Sequence, residues 1–196
     1  MTQRIACRDI LLALSLCLSL AGAVQAADCK YAENSIDKIT SARIVTTKPV
    51  QLTHWMRELR REMTAFVAAS SYGGEKFLRL NIEYVRDRAT EAKRQAGANA
   101  IVIPQGAELM IAMSDGAVLK LQASKAVAGD TTNDDPHPDW FTTRATIDYA
   151  MDASSVDALA AQGAKALRVM TDTGHYDVKI HKSNVDDIRK AIECVR

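Results

Sequence analysis

Apolar and polar positions alternate over much of the chain, and turn residues break that alternation at regular places. From Ser41 to Thr53 the residues alternate and are rich in Val, Ile and Thr, which predicts a strand. Pro49 inside it favours an edge position or a bulge. Leu52, Trp55, Met56, Leu59, Met63, Phe66 and Val67 recur at helical spacing behind Thr53 as a cap. Yet Met63 to Ser70 can equally pair as a strand with Lys76 to Val85 across Gly73-Gly74. The reading adopted is a short helix at 53–61 followed by that hairpin.

Arg86 to Ala96 is polar and dense in helix formers, with Gly97 as a C-cap, and reads as an exposed helix or an inserted loop. Ala100 to Ile103 and Glu108 to Met113 read as strands. Ser114-Asp115-Gly116 then turns the chain into the alternating run Ala117 to Ala123. Gly129 to Asp139 is a loop by composition, and Arg144 to Met151 resumes as a strand. Ser154 opens a short helix that stops at Gly163. Ala166 to Thr171 and His175 to His181 form a second hairpin around Asp172-Thr173-Gly174. Ser183-x-x-Asp186 starts a final helix that buries Val185, Ile188, Ile192 and Val195 on one stripe. This order of elements predicts an α+β fold: an antiparallel β-sheet built from hairpins, with short helices that include a C-terminal amphipathic one.

The first residues change the count. Arg4 and Arg8 precede an uncharged eleven-residue stretch, Ile10 to Leu20, and then the small-residue run Ala21 to Ala26. This is the order of a secretory signal peptide at 1–26, with Val24-Gln25-Ala26 as the cleavage signal, and the stretch is shorter than the roughly 20 residues of a membrane span. The expected exported domain is 27–196, with a possible sub-boundary near 129–141. Cleavage removes Arg4, Arg8 and Asp9 and leaves 23 residues of each sign, a balance that argues against nucleic acid as the partner. Stable membrane insertion after cleavage is not expected either, and the location expected is a periplasm or the cell exterior. Cys7 and Cys17 leave with the leader, so Cys29 and Cys194 remain. In an oxidising compartment a lone pair reads as a disulfide, the alternative being two free thiols.

Candidate chemistry is sparse. Asp172-Thr173-Gly174 matches the tripeptide of aspartic proteases but occurs once, where a turn needs those residues anyway. His175, Asp177, Lys179 and His181 fall on one face of a strand, with the histidines roughly 20 Å apart, too far to share a metal. The acidic loop lacks the calcium-loop order. No catalytic residue, metal site or cofactor is assigned. Between 51 and 97 nine Lys or Arg meet six acids, whereas between 128 and 160 one Arg meets seven Asp, an asymmetry that can mark a partner surface. Trp140, Phe141, Asp134, Asp135 and His137, stiffened by Pro136 and Pro138, are the expected partner-binding residues.

Asn34-Ser-Ile-Asp-Lys-Ile-Thr40, Thr46 to Val50, Gly73-Gly-x-x-Phe77-Leu-x-Leu80, Ser114-Asp-Gly-x-Val118 and the segment from Leu167 to Cys194 together form a layout. It resembles a group of small exported bacterial proteins without an assigned activity. Against that layout Arg57 to Arg61 and Arg86 to Ala96 look like insertions. The resemblance implies a β-rich exported domain and no particular mechanism. Three functions follow as expectations: a non-catalytic exported domain that binds a protein or envelope component, a small-ligand or lipid carrier, and a hydrolase without a recognisable motif.

Overall fold

The computed structural model describes residues 29–52, 62–87, 101–133 and 140–196. The leader expected at 1–26, the helix expected at 53–61 and residues 88–96 of the polar stretch lie outside them. Turn chemistry decides the hairpins. β4 (Glu62–Tyr72) and β5 (Glu75–Asp87) pair in register from Glu62↔Val85 to Tyr72↔Glu75. Their two-residue turn places Gly73 at φ 58° and Gly74 at φ 94°, the left-handed conformations that a twist-matched hairpin turn requires. β7 (Glu108–Met113) and β8 (Val118–Ala123) close around Asp115, whose carboxylate accepts the Ala117 N–H at 2.9 Å. β12 (Ala164–Thr171) and β13 (Gly174–Lys179) turn through Asp172-Thr173.

The N-terminal edge consists of β1 (Tyr31–Ile36), β2 (Arg43–Thr47) and β3 (Val50–Gln51), with the break between β2 and β3 falling at Lys48-Pro49. β2 and β3 lie in succession along β4. β6 (Val102–Ile103) and β9 (Val127–Ala128) form a separate two-stranded ladder. β10 (Asp130–Asn133) and β11 (Trp140–Met151) complete the strands. The large sheet runs β1-β2-β4-β5-β11-β8-β7-β12-β13, with β10 on β11 and β3 on β4, and each of these pairings is antiparallel. The fold is α+β, as the pattern of elements predicts.

β11 holds the two halves together. It pairs with β5 along its whole length, but meets β8 only at Tyr149↔Ala123 and Ala150↔Gln122. The two halves meet at this short junction, and both contribute to one cluster of buried side chains, from Leu80 and Ile82 to Leu109, Ile111 and Val169. α1 (Ala153–Gln162) is capped by the Asp152 carboxylate, which accepts the Ser155 N–H, and ends at Gly163. α2 (Lys182–Glu193) lies across both halves, touching β3, β4 and β12. It buries Ile188 and Ile192, with Val195 just past its end, while Val185 is half-buried against the same core. Its first turn is fixed to the exit of β3, because the His181 N–H donates to the Leu52 carbonyl and the Asn184 amide donates to the Gln51 carbonyl.

Three expectations are corrected. Asp130–Asn133, expected inside a loop, is a strand: Asp130 to Asn133 pair with Arg144 to Phe141, and the Thr131 and Thr143 hydroxyls bond across the ladder at 2.8 Å. The polar composition hid two β-branched residues whose partner strand lies further along the chain. β11 begins at Trp140 rather than Arg144, and Arg86 and Asp87 belong to β5 rather than to a separate polar element. Backbone pairing therefore continues on both flanks of the sub-boundary expected near 129–141.

Tyr149 is fully buried at the β11–β8 junction, and among the described residues its hydroxyl has no hydrogen-bond partner. Burial pushes its pKa up. Tyr149→Phe removes a desolvated polar group and leaves the ring in place, so a thermal melt should show unchanged or slightly raised stability. A loss of about 2 kcal/mol or more would show that the hydroxyl makes a bond that matters.

Candidate functional site

Of the expected partner-binding residues, only Phe141 has its side chain described. Asp134, Asp135 and His137 lie outside the described residues, and of Trp140 only the backbone is described. Phe141 is half-buried within β11, its backbone between Arg86 of β5 and Asn133 of β10. Cys29 and Cys194 do meet, forming a disulfide with Cα atoms 5.6 Å apart. Cys194 caps α2, so the bond ties the segment before β1 to the last turn of the final helix.

Titratable groups with displaced pKa values are accounted for by local structure. Asp152 is held low by the bonds it accepts as the cap of α1. Asp177 is held low by the Arg168 guanidinium, which donates to both its oxygens at 2.7 and 2.8 Å. Asp148 pairs in the same bidentate way with Arg79, whose pKa is raised by that bond. Asp172 occupies the hairpin turn, its N–H donating to the Val102 carbonyl. His175 lies 3.9 Å from Asp177. The strand ends at Lys179, so His181 does not share that face as expected; its ring caps α2 by accepting the Ser183 N–H. Among the described residues no three His, Cys, Asp or Glu side chains could together hold a metal ion. No helix among them is long and apolar enough to cross a membrane.

A different feature stands out. Among the described residues four large hydrophobic side chains are exposed, and three of them adjoin the β1–β2 loop: Ile39 within it at 95%, Ile36 at the end of β1 at 67% and Tyr72 at the neighbouring end of β4 at 42%. The loop that carries Ile39 is firmly built. The Asp37 carboxylate accepts the Ile39 N–H at 2.7 Å, the Thr40 N–H at 3.0 Å and the Tyr72 hydroxyl at 3.3 Å. The Asp37 N–H donates to the Ala42 carbonyl, and the Ser41 N–H donates back to the Asp37 carbonyl, both at 2.8 Å. Thr40 and Tyr72 share a further hydroxyl bond at 3.1 Å.

Ser41 sits at φ 58°, a left-handed conformation that costs a non-glycine residue about 1–2 kcal/mol. That strain is offset by the bonds around it, and it is what turns the loop so that Ile39 projects away from the protein. The register sets Ile36 opposite Arg43 and Tyr72 opposite Ile44, so those two side chains lie on opposite faces of the sheet, with Ile39 on the loop between their strands. The loop bonds hold the Asp37 carboxyl below its ordinary value. A depressed carboxyl stabilises at pH above the ordinary carboxylate value, and its contribution fades as pH falls through the lowered one. Acid therefore loosens this loop.

Alternation alone does not reveal this exposure, because neither Ile36 nor Ile39 carries a local mark of it. The signal available in the sequence was the Asp37-x-x-Thr40 spacing, which suits a side-chain-capped turn. Comparison with protein-family models, curated proteins and solved structures finds no match to this chain.

Proposed function

We propose that the protein is an exported, non-catalytic binding module that holds a protein or another envelope component through the loop around Ile39. The observation that carries this reading is the rigid display of Ile39 on a strained, side-chain-capped loop, with Ile36 exposed at the end of β1 beside it. A side chain with 95% of its surface in water contributes almost nothing to folding, and fixing it in place lowers the entropy lost when a partner covers it. The packed inner face supports recognition at the surface: Leu80, Ile82, Ile103, Leu109, Ile111 and Ile147 are all fully buried there. Export is supported by the disulfide and by the leader-like first residues.

The test is Ile39→Asp in the exported protein, with a photo-crosslinking residue at position 36 used to trap whatever binds in the native envelope. The variant should melt with the wild type, because Ile39 packs against almost nothing, while the trapped partner falls at least about tenfold, as for a hot-spot residue. An unchanged set of trapped components would remove the loop from consideration.

A further inference from the structure

We infer that the solvent face of β7, β8, β12 and β13 is a second binding site, and that it takes an extended, acidic segment of a partner protein. It belongs to the other half of the sheet from the Ile39 loop and stands independently of that reading. The register places Ala112 opposite Val118 on β8 and opposite Ala166 on β12, with Ala166 opposite Lys179 on β13. This row of small and apolar side chains is the floor of an open depression of about 600 Å³. The next row is taller, with Met110 opposite Arg168 and Arg168 opposite Asp177. A trough results that crosses the four strands.

A β-bulge arms the other side. Between Ala164 and Ala166 the register with β7 shifts by one residue, so Lys165 is extruded onto the exposed face beside Ala166. Bulges re-aim a side chain in this way, often next to functional sites. Lys165 Nζ donates one bond to the Ser114 carbonyl at 2.6 Å and keeps its remaining donors. Lys179, at the end of the floor, makes no ion pair among the described residues. The lining thus holds three cations, Lys165, Arg168 and Lys179, against the single carboxylate of Asp177, which Arg168 already binds.

Dimensions select the occupant. Adjacent strands lie about 4.8 Å apart, so the floor from β8 to β13 is roughly 14 Å long, the reach of about four extended residues. Rows of side chains on one face repeat every ~7 Å along a strand, which leaves room for an extended chain but not for a helix 10–12 Å across. The excess of ammonium groups asks for carboxylates, and Val118, 61% exposed, gains by being covered. The trough is open along its length, unlike the enclosing pockets that small ligands need.

The experiment measures fluorescence anisotropy of a labelled, acetylated peptide that alternates Glu and Ala over about eight residues. At low salt it should bind saturably, and the matching Lys/Ala peptide should not. The Lys165→Ala/Lys179→Ala double variant should weaken binding by about tenfold. Ala166→Arg is the decisive variant, because it adds positive charge while filling the floor: binding should fall. Ala112→Arg at an exposed floor position repeats the test if the first variant does not fold. Unchanged or tighter binding by these arginine variants would mean diffuse attraction and overturn the site. So would anionic-lipid vesicles that bind through Lys165 and Lys179 where the peptide does not.

Discussion

Cys194→Ala should lower the unfolding free energy by up to about 5 kcal/mol, the chain-entropy value for a loop of this length. The bond joins residues 165 apart in sequence, so without it the unfolded chain regains nearly its full freedom. Its location makes the loss uneven. β1 is a sheet edge that pairs only with β2, and five of its six residues are exposed, so little packing holds it in place. Cys29 anchors the segment just before it. Removing the bond should first raise hydrogen exchange in Tyr31–Ile36 and then in the loop that presents Ile39, while the amides of β5 and β11 stay protected up to global unfolding. Denaturant melts of the oxidised protein, the reduced protein and the variant measure the first effect, and exchange measures the second. Coincident midpoints for all three would show that the ladder alone secures this edge.

The second large effect is expected at Gly163, where α1 ends. Its φ is 69°, and an added Cβ would lie 2.7 Å from Val185 Cγ1 and 3.1 Å from Arg189 Cδ. Arg189 cannot withdraw freely, since its Nε donates to the Ala160 carbonyl at 2.9 Å, closing the contact between the two helices. Gly163→Ala therefore combines left-handed backbone strain with overpacking where α2 crosses the end of α1, and about 2–4 kcal/mol should be lost. Gly74→Ala is the control: φ is 94° there, but nothing lies within 4 Å of the added methyl, so only the backbone part, about 1 kcal/mol, should appear. Urea melts of the two variants separate the contributions. Equal losses would mean that the helix–helix contact relaxes without cost.

Both effects arise where the chain meets a distant part of itself, and the same distinction governs what was readable beforehand. The hairpins at Gly73-Gly74, Ser114 to Gly116 and Asp172-Thr173 were legible because turn chemistry is local. So were the stop of α1 at Gly163 and the stripe of Ile188, Ile192 and Val195 near the C-terminus. Asp130–Asn133 was not legible as a strand, because its partner residues 141–144 decide the matter and composition around two prolines pointed the other way. Trp140 and Phe141 suggested a binding anchor by residue type, but composition carried no mark of the register that sets Phe141, half-buried, between Arg86 and Asn133.

By itself the sequence determined the local elements, the antiparallel α+β class and the pair of cysteines left to bond, since periodicity, turn residues and cysteine number act over a few residues or by simple count. Tertiary structure decided the order β5-β11-β8 where the two halves join, the exposure of Ile36 and Ile39, and the bulge that turns Lys165 outward beside Ala112 and Ala166. Those depend on which strands become neighbours, and an isoleucine or a lysine carries no local mark of what will lie, or fail to lie, against it.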